Sequence, residues 1–202
     1  MESLNFAGAV KKIYESNRYF FNLKTLRDIL EISKRETFFK YLQRLIKEEI
    51  LIKIERNKYL LKKAKISDFE LANFIYGPSY ISFESALNFW GILSQFPYEI
   101  TSATVKKTVS KKVLDKFFSY SHIDKKLFFG FKKVENFLIA YPEKALLDQL
   151  YFASKGLKKI NPEELNYQGI NKRILKDFIV FYPKNRQFEK ALKILKNSIH
   201  GL

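Results

Sequence analysis

"SKRETFFKYLQRLIKEEILIKIERNKYLL", Ser33 to Leu61, decides how the first part of this chain is read. At 100° per residue Phe38, Leu42, Leu45 and Ile46 share one side of a helix, while Thr37, Lys40, Arg44 and Lys47 share the other. The first side is a core face; the second meets solvent or a ligand. Ser33 and Glu36 have the S-x-x-E spacing of a capping box. That start places Lys34 and Arg35 in the first turn, where the helix dipole disfavours cations by roughly a few tenths of a kcal/mol each. Either Glu36 and solvent offset the repulsion, or an anion meets those two side chains. The second half, "ILIKIERNKYLL", is two β-rich runs around Arg56, Asn57 and Lys58, and Asn tolerates the positive φ of a hairpin turn.

Working backwards, "LKTLRDILEIS" sets Leu23, Leu26, Ile29 and Leu30 at helical spacing, and "LNFAGAVKKIYESN" does so with Leu4, Val10, Ile13 and Tyr14. Only Glu31 and Ile32 lie between the second helix and Ser33. Helix, helix, tight turn, helix, two-stranded wing is the order of a winged helix-turn-helix. In that arrangement the start of the third helix enters the major groove, which makes Lys34, Arg35, Thr37, Lys40 and Arg44 candidate DNA contacts, with Arg56, Asn57 and Lys58 on the wing. Winged helices also serve as protein-docking modules, and that alternative stands beside the first.

The charge supports a polyanionic partner. The 202 residues carry 37 Lys and Arg against 21 Asp and Glu, a formal +16, and cations paired with phosphates release condensed counterions. A biased base composition would produce the same lysine excess without any binding role. All five prolines follow Gly77, and "LLKKAKISDFE" leads into a new helix start at Ser67, with Glu70 at capping-box spacing. This predicts a winged-helix domain over 1–65 and a second domain over 66–202. The first holds 16 cations and 8 anions in less than half the length of the second, so it is about twice as basic per residue.

In the second domain "YISFESALNFWGIL" reads as a helix from about Ser82, ended by Gly91. "YEITSATVKKT", "KFFSYSHI", "KLFFGFKK" and "NFLIA" read as strands of an antiparallel sheet. "YPEKALLDQLYFAS" follows as a helix with Pro142 first, Glu143 in the favourable first turn, and Ala145, Leu146, Gln149 and Leu150 on one side. Further helices are predicted around "PEELNY", "NKRILKDFIVFY" and "NRQFEKALKILKNSI". The fold class is α+β: a winged helix-turn-helix, then a mixed domain with an antiparallel sheet and several helices.

Taken in order, "YISFESALNFWGIL", "ITSATVKKT", "FSYSHIDKKLFFGF" and "IAYPEKALLDQLY", preceded by a winged helix ending "ILIKIERNKYLL", resemble the AbiEi antitoxins and their transcriptional-regulator relatives. The likeness covers nearly the whole chain and weakens after about Lys158. It implies a cytoplasmic antitoxin that represses its own operon through the winged helix, while the C-terminal domain counters a nucleotidyltransferase-like toxin of the AbiEii type. Two departures are "NFWG", Asn88 to Gly91, where relatives commonly carry a histidine before the glycine, and a wing without its usual glycine.

Catalytic, metal and cofactor sites are not predicted. There is no cysteine, and the only histidines, His122 and His200, are far apart, so neither disulfides nor a metal-ligand spacing exists. His122 reads as a strand residue making a hydrogen bond. No phosphate-cradling glycine loop occurs. Glu143 and Asp148 point about 140° apart on their helix, too divergent to share a substrate. Phe117, Phe118, Tyr120, Phe128, Phe129 and Phe131, interleaved with Lys116, Lys126 and Lys132, offer a stacking platform for single-stranded RNA, though alternation on a strand sends half of them to a core. "MESLNFAGAV" lacks a signal peptide's regions, and no apolar run approaches the roughly 18 residues of a membrane span, which predicts a soluble, cytoplasmic protein. A winged-helix regulator without a toxin partner and an RNA-binding protein are the competing functions.

Overall fold

The computed structural model describes residues 5–199 of the chain, which divides into two compact units between Ser67 and Asp68, two residues beyond the predicted boundary. In the first unit, Asn5 caps helix α1 (Phe6–Glu15) by accepting the Gly8 N–H at 2.7 Å. Ala9 and Ile13 are buried, whereas Tyr14 is 43% exposed. Its position, a further 100° around the helix from Ile13, carries it off the core face where it was expected. Leu4 lies outside the described residues. Asn22 caps α2 (Leu23–Leu30) in the same way, and Glu31 in the left-handed region ends it.

Helix α3 runs Arg35–Lys47 with Lys34 at its N-cap and no side-chain cap. The predicted capping box does not form. The helix starts one residue late for it, so Glu36 occupies the second helical position rather than the third. Phe38, Leu42 and Leu45 are buried as the spacing predicts, and Ile46 packs against them half-buried. Strands β2 (Leu51–Glu55) and β3 (Lys58–Leu61) form the hairpin, with a register shift between Lys53 and Glu55. Asn57 takes φ 61° at its turn, which stands in for a glycine. A third strand, β1 (Phe20–Asn22), pairs antiparallel with β3 and buries Phe21.

The second unit is built on a six-stranded sheet of order β6-β7-β5-β4-β9-β8, with β4 (Ser79–Ile81), β5 (Ile100–Thr104), β6 (Val109–Val113), β7 (Lys116–His122), β8 (Phe131–Val134) and β9 (Phe137–Ala140). It is mixed, not antiparallel: β4 runs parallel to β9, and β5 parallel to β7. The physical reason is that β6 folds back along β7 as the outer edge, leaving β7 to lie beside β5 in the same direction. In "KLFFGFKK" only the end becomes β8; Lys125–Leu127 is a 3₁₀ turn capped by Asp124.

Helices α4 (Asp68–Ile75) and α5 (Phe83–Phe89) precede the central strands, and Gly91 at φ +69° follows α5 as predicted. Helix α6 (Pro142–Ser154) begins at Pro142 and is packed against by α5, β9, α7 (Lys172–Ile179) and α8 (Arg186–Ser198). It is therefore buried all round from Glu143 to Phe152, not on one side. "PEELNY" contributes only a 3₁₀ turn, Pro162–Glu164. Among the described residues no helix is long and apolar enough to cross a membrane.

Candidate nucleic-acid interface

Burial of Phe38, Leu42 and Leu45 fixes the rotation of α3, and everything else about its outer surface follows. Lys34, Arg35, Lys40 and Arg44 are exposed and Thr37 is half-buried. These residues form two groups rather than one. Lys40 and Arg44, one turn apart, lie opposite the core, and the Arg44 guanidinium sits 4.0 Å over the Phe6 ring. Arg35 lies at the helix tip on the other side, 5.8 Å over the Phe39 ring.

The Arg35 group has companions that the sequence pattern did not single out. Leu23, Lys24, Arg27, Arg35, Phe38 and Phe39 line a depression of about 420 Å³ between α2 and α3. Arg27 stands 5.5 Å over the Phe38 ring. The signal was present: Lys24 and Arg27 are three apart on α2 and so share its outer face. An aromatic floor with a cationic rim can hold guanidinium groups extended without neutralising their charge.

On the wing, Arg56 and Asn57 are exposed at the tip. Lys58 differs. Its ammonium pairs with Glu55 at 2.8 Å, with both side chains about three-quarters covered, so part of its charge is already matched within the hairpin. Of the two cations at the tip, Arg56 is the outward one.

In the second unit one cluster of ionisable residues turns inward. Lys144 and Asp148, one helical turn apart on α6, are fully buried and form an ion pair. Asp148 also accepts hydrogen bonds from the hydroxyls of Tyr182 (2.7 Å), Ser82 (2.8 Å) and Tyr80 (3.0 Å), and Lys144 donates to Tyr182 at 2.9 Å. Burial pushes the Tyr80 and Tyr182 phenols well above their ordinary range, and Asp148 adds to it. Burial lowers the Lys144 ammonium against the upward pull of Asp148. With four donors on one carboxylate, the cluster is saturated; it ties β4, α6 and the segment before α8 together. Glu143 lies in the first turn of α6 as expected, and it is buried, accepting the Asn171 N–H at 2.6 Å. The K-x-x-x-D spacing was legible, but charged residues are ordinarily read as surface.

The six aromatics do not form one platform. Phe118 and Tyr120 are buried, Phe128 and Phe131 pack around Tyr80, and Phe129 packs on Phe178 and Phe181. Only Phe117 is exposed among them, stacked on Tyr98. Lys116 pairs with Asp68, and Lys132 lies over the Trp90 ring. His122 sits on β7 with Nδ1 3.0 Å from the Lys106 carbonyl. "NFWG" serves the local structure, since Asn88 donates to the Leu93 and Gln95 carbonyls, and the Trp90 indole N–H to that of Ala140. Among the described residues no group of three His, Cys, Asp or Glu side chains is placed to hold a metal ion. Compared with protein-family models and with curated proteins, the chain matches none.

Proposed function

We propose that the first unit is a winged helix-turn-helix that binds double-stranded DNA, the promoter of its own operon, and so represses transcription. In this reading the start of α3 enters the major groove, with Arg35, Thr37 and Lys40 reaching base edges and Lys34 and Arg44 reaching phosphates. Arg56 and Asn57 at the wing tip, with Lys58 behind them, lie against the backbone or the minor groove. The carrying observation is the start of α3: exposed Lys34 at the N-cap and exposed Arg35 at the first helical position, where the helix dipole disfavours cations, with Glu36 the acidic residue of the first turn. An anionic partner removes that conflict. Lys24 and Arg27 on α2 extend the same positive rim.

The second unit is proposed to carry antitoxin activity against a nucleotidyltransferase-like toxin. This part rests on the resemblance of "YISFESALNFWGIL", "ITSATVKKT" and "IAYPEKALLDQLY" to AbiEi proteins, and it calls for neither catalysis nor a cofactor, with or without direct contact with the toxin. Two experiments test the two halves separately. Mobility shifts on the chain's own promoter should show sequence-dependent binding that weakens with salt; binding indifferent to sequence and salt would refute the first half. Co-expression with the product of the neighbouring gene should rescue growth. A neighbour that is not toxic, or toxicity that persists, would leave a regulator without a toxin partner.

A further inference from the structure

Among the described residues Phe39 is the only exposed apolar side chain on α3, at 37% exposure. The other exposed residues of the helix, Arg35, Glu36, Lys40, Gln43, Arg44 and Lys47, are polar or charged. At 100° per residue Phe39 lies between Arg35 and Lys40 around the helix, about 40° from the first and about 100° from the second. Phe38 meets its ring edge to face with centroids 5.4 Å apart, and the Arg35 guanidinium stands over it at 5.8 Å. The ring also lines the depression between α2 and α3, beside Lys24 and Arg27. A singly exposed apolar side chain is ordinary on a protein surface. This one is held by two neighbours, on the helix that carries the proposed DNA contacts.

In the major groove the base edges present hydrogen-bond donors and acceptors, and the C5-methyl of thymine is the one apolar group among them. A phenyl ring set against any other base edge would take polar atoms from water without replacing their hydrogen bonds. Set against a thymine methyl, it removes apolar surface from water on both partners. We propose, resting on the DNA-binding reading of α3, that Phe39 is a specificity-determining residue whose ring packs on the 5-methyl group of a thymine in the bound site.

The test is a thymine-to-uracil scan, because uracil lacks only the methyl group and pairs unchanged. The full chain is titrated by fluorescence anisotropy onto its own promoter and onto duplexes in which the thymines of the bound site are replaced one at a time. Two variants accompany the parent: Phe39→Ala, which removes the ring, and Thr37→Ser, which removes the methyl of a neighbouring candidate contact and keeps its hydroxyl. At least one thymine should show a loss of about fourfold on replacement, the worth of one buried methyl group. Phe39→Ala should bind the thymine and uracil duplexes alike, while Thr37→Ser keeps the parent's preference; circular dichroism of both should stay native. If Phe39→Ala does not fold, Phe39→Gln takes its place, and the parent's scan is decisive by itself when no replacement weakens binding. No binding to the unmodified promoter would refute the DNA reading, and this inference with it. With promoter binding intact, the inference alone is overturned if no uracil weakens the parent, if the thymine preference survives in folded Phe39→Ala, or if Thr37→Ser erases it.

Discussion

Helices α3 and α6 have the same length, 13 residues, and opposite fates. Three residues of α3 are buried and its cations stand in solvent; ten consecutive residues of α6 are buried, two of its charged side chains paired with each other inside the protein. A charged residue on a helix therefore has two meanings in this chain. Where the partner charge is supplied within the fold, as Asp148 is for Lys144, the residue specifies packing. At the start of α3, where Lys34 and Arg35 are exposed and the N-cap side chain forms no cap, the proposed DNA would supply the partner from outside.

The largest expected effect breaks the α6 side of this contrast. Asp148→Ala leaves the Lys144 ammonium buried without a counter-charge and should cost roughly 3–5 kcal/mol. Urea unfolding followed by the fluorescence of Trp90, the only tryptophan and a member of the second unit, reads it directly. The double variant Lys144→Met with Asp148→Asn should recover part of the loss, because no uncompensated charge remains. A double variant as unstable as the single one would mean that the charges themselves were not the issue.

On the α3 side, Arg35→Ala or Lys40→Ala should each cost roughly 1–3 kcal/mol in promoter affinity if the residue reads a base, and relax preference at one position. Unfolding should be unchanged. Loss of affinity spread evenly over all sequences would reassign the residue to the backbone.

Gly130 sharpens the picture of the buried pair. At φ +69° it has no side chain, and a Cβ there would meet Lys144 Cγ and Phe178 Cε2 at 3.1 Å. Gly130→Ala should destabilise the second unit by about 2 kcal/mol through backbone strain and displacement of the Lys144 stem. The smallest effect distinguishes two neighbours on the wing. Arg56→Ala should lower the salt slope of DNA binding by about one unit, and Lys58→Ala by less, since Glu55 already holds its ammonium. Equal slopes for both variants would show that the Lys58–Glu55 pair opens on DNA.

How much of this was legible in sequence follows from the same contrast. The α3 face and the hairpin after it were readable because a half-buried helix and paired strands leave periodic patterns. Strands β1 and β4, three residues each, are too short to show any period. The parallel β5–β7 and β4–β9 pairings are non-local, and neighbouring β-rich runs mimic hairpins. Helix α6, enclosed by four elements, has no polar face to be recognised by, so its spacing suggested one apolar side and did not single out Lys144. Of the candidate site, the cations on α3 and the wing were found; Lys24 and Arg27 were not, because α2 was read only for its apolar spacing.

The central claim is that α3 presents its cations to DNA, while the folded core does not need them. The direct measurement is promoter binding by a full-length chain carrying Arg35→Glu, Lys40→Glu and Arg44→Glu, by mobility shift at several salt concentrations, with urea unfolding in parallel. The account predicts unfolding like the parent's and loss of promoter binding, through repulsion from phosphate. A triple variant that folds and still binds the promoter with the parent's affinity and salt slope would contradict it.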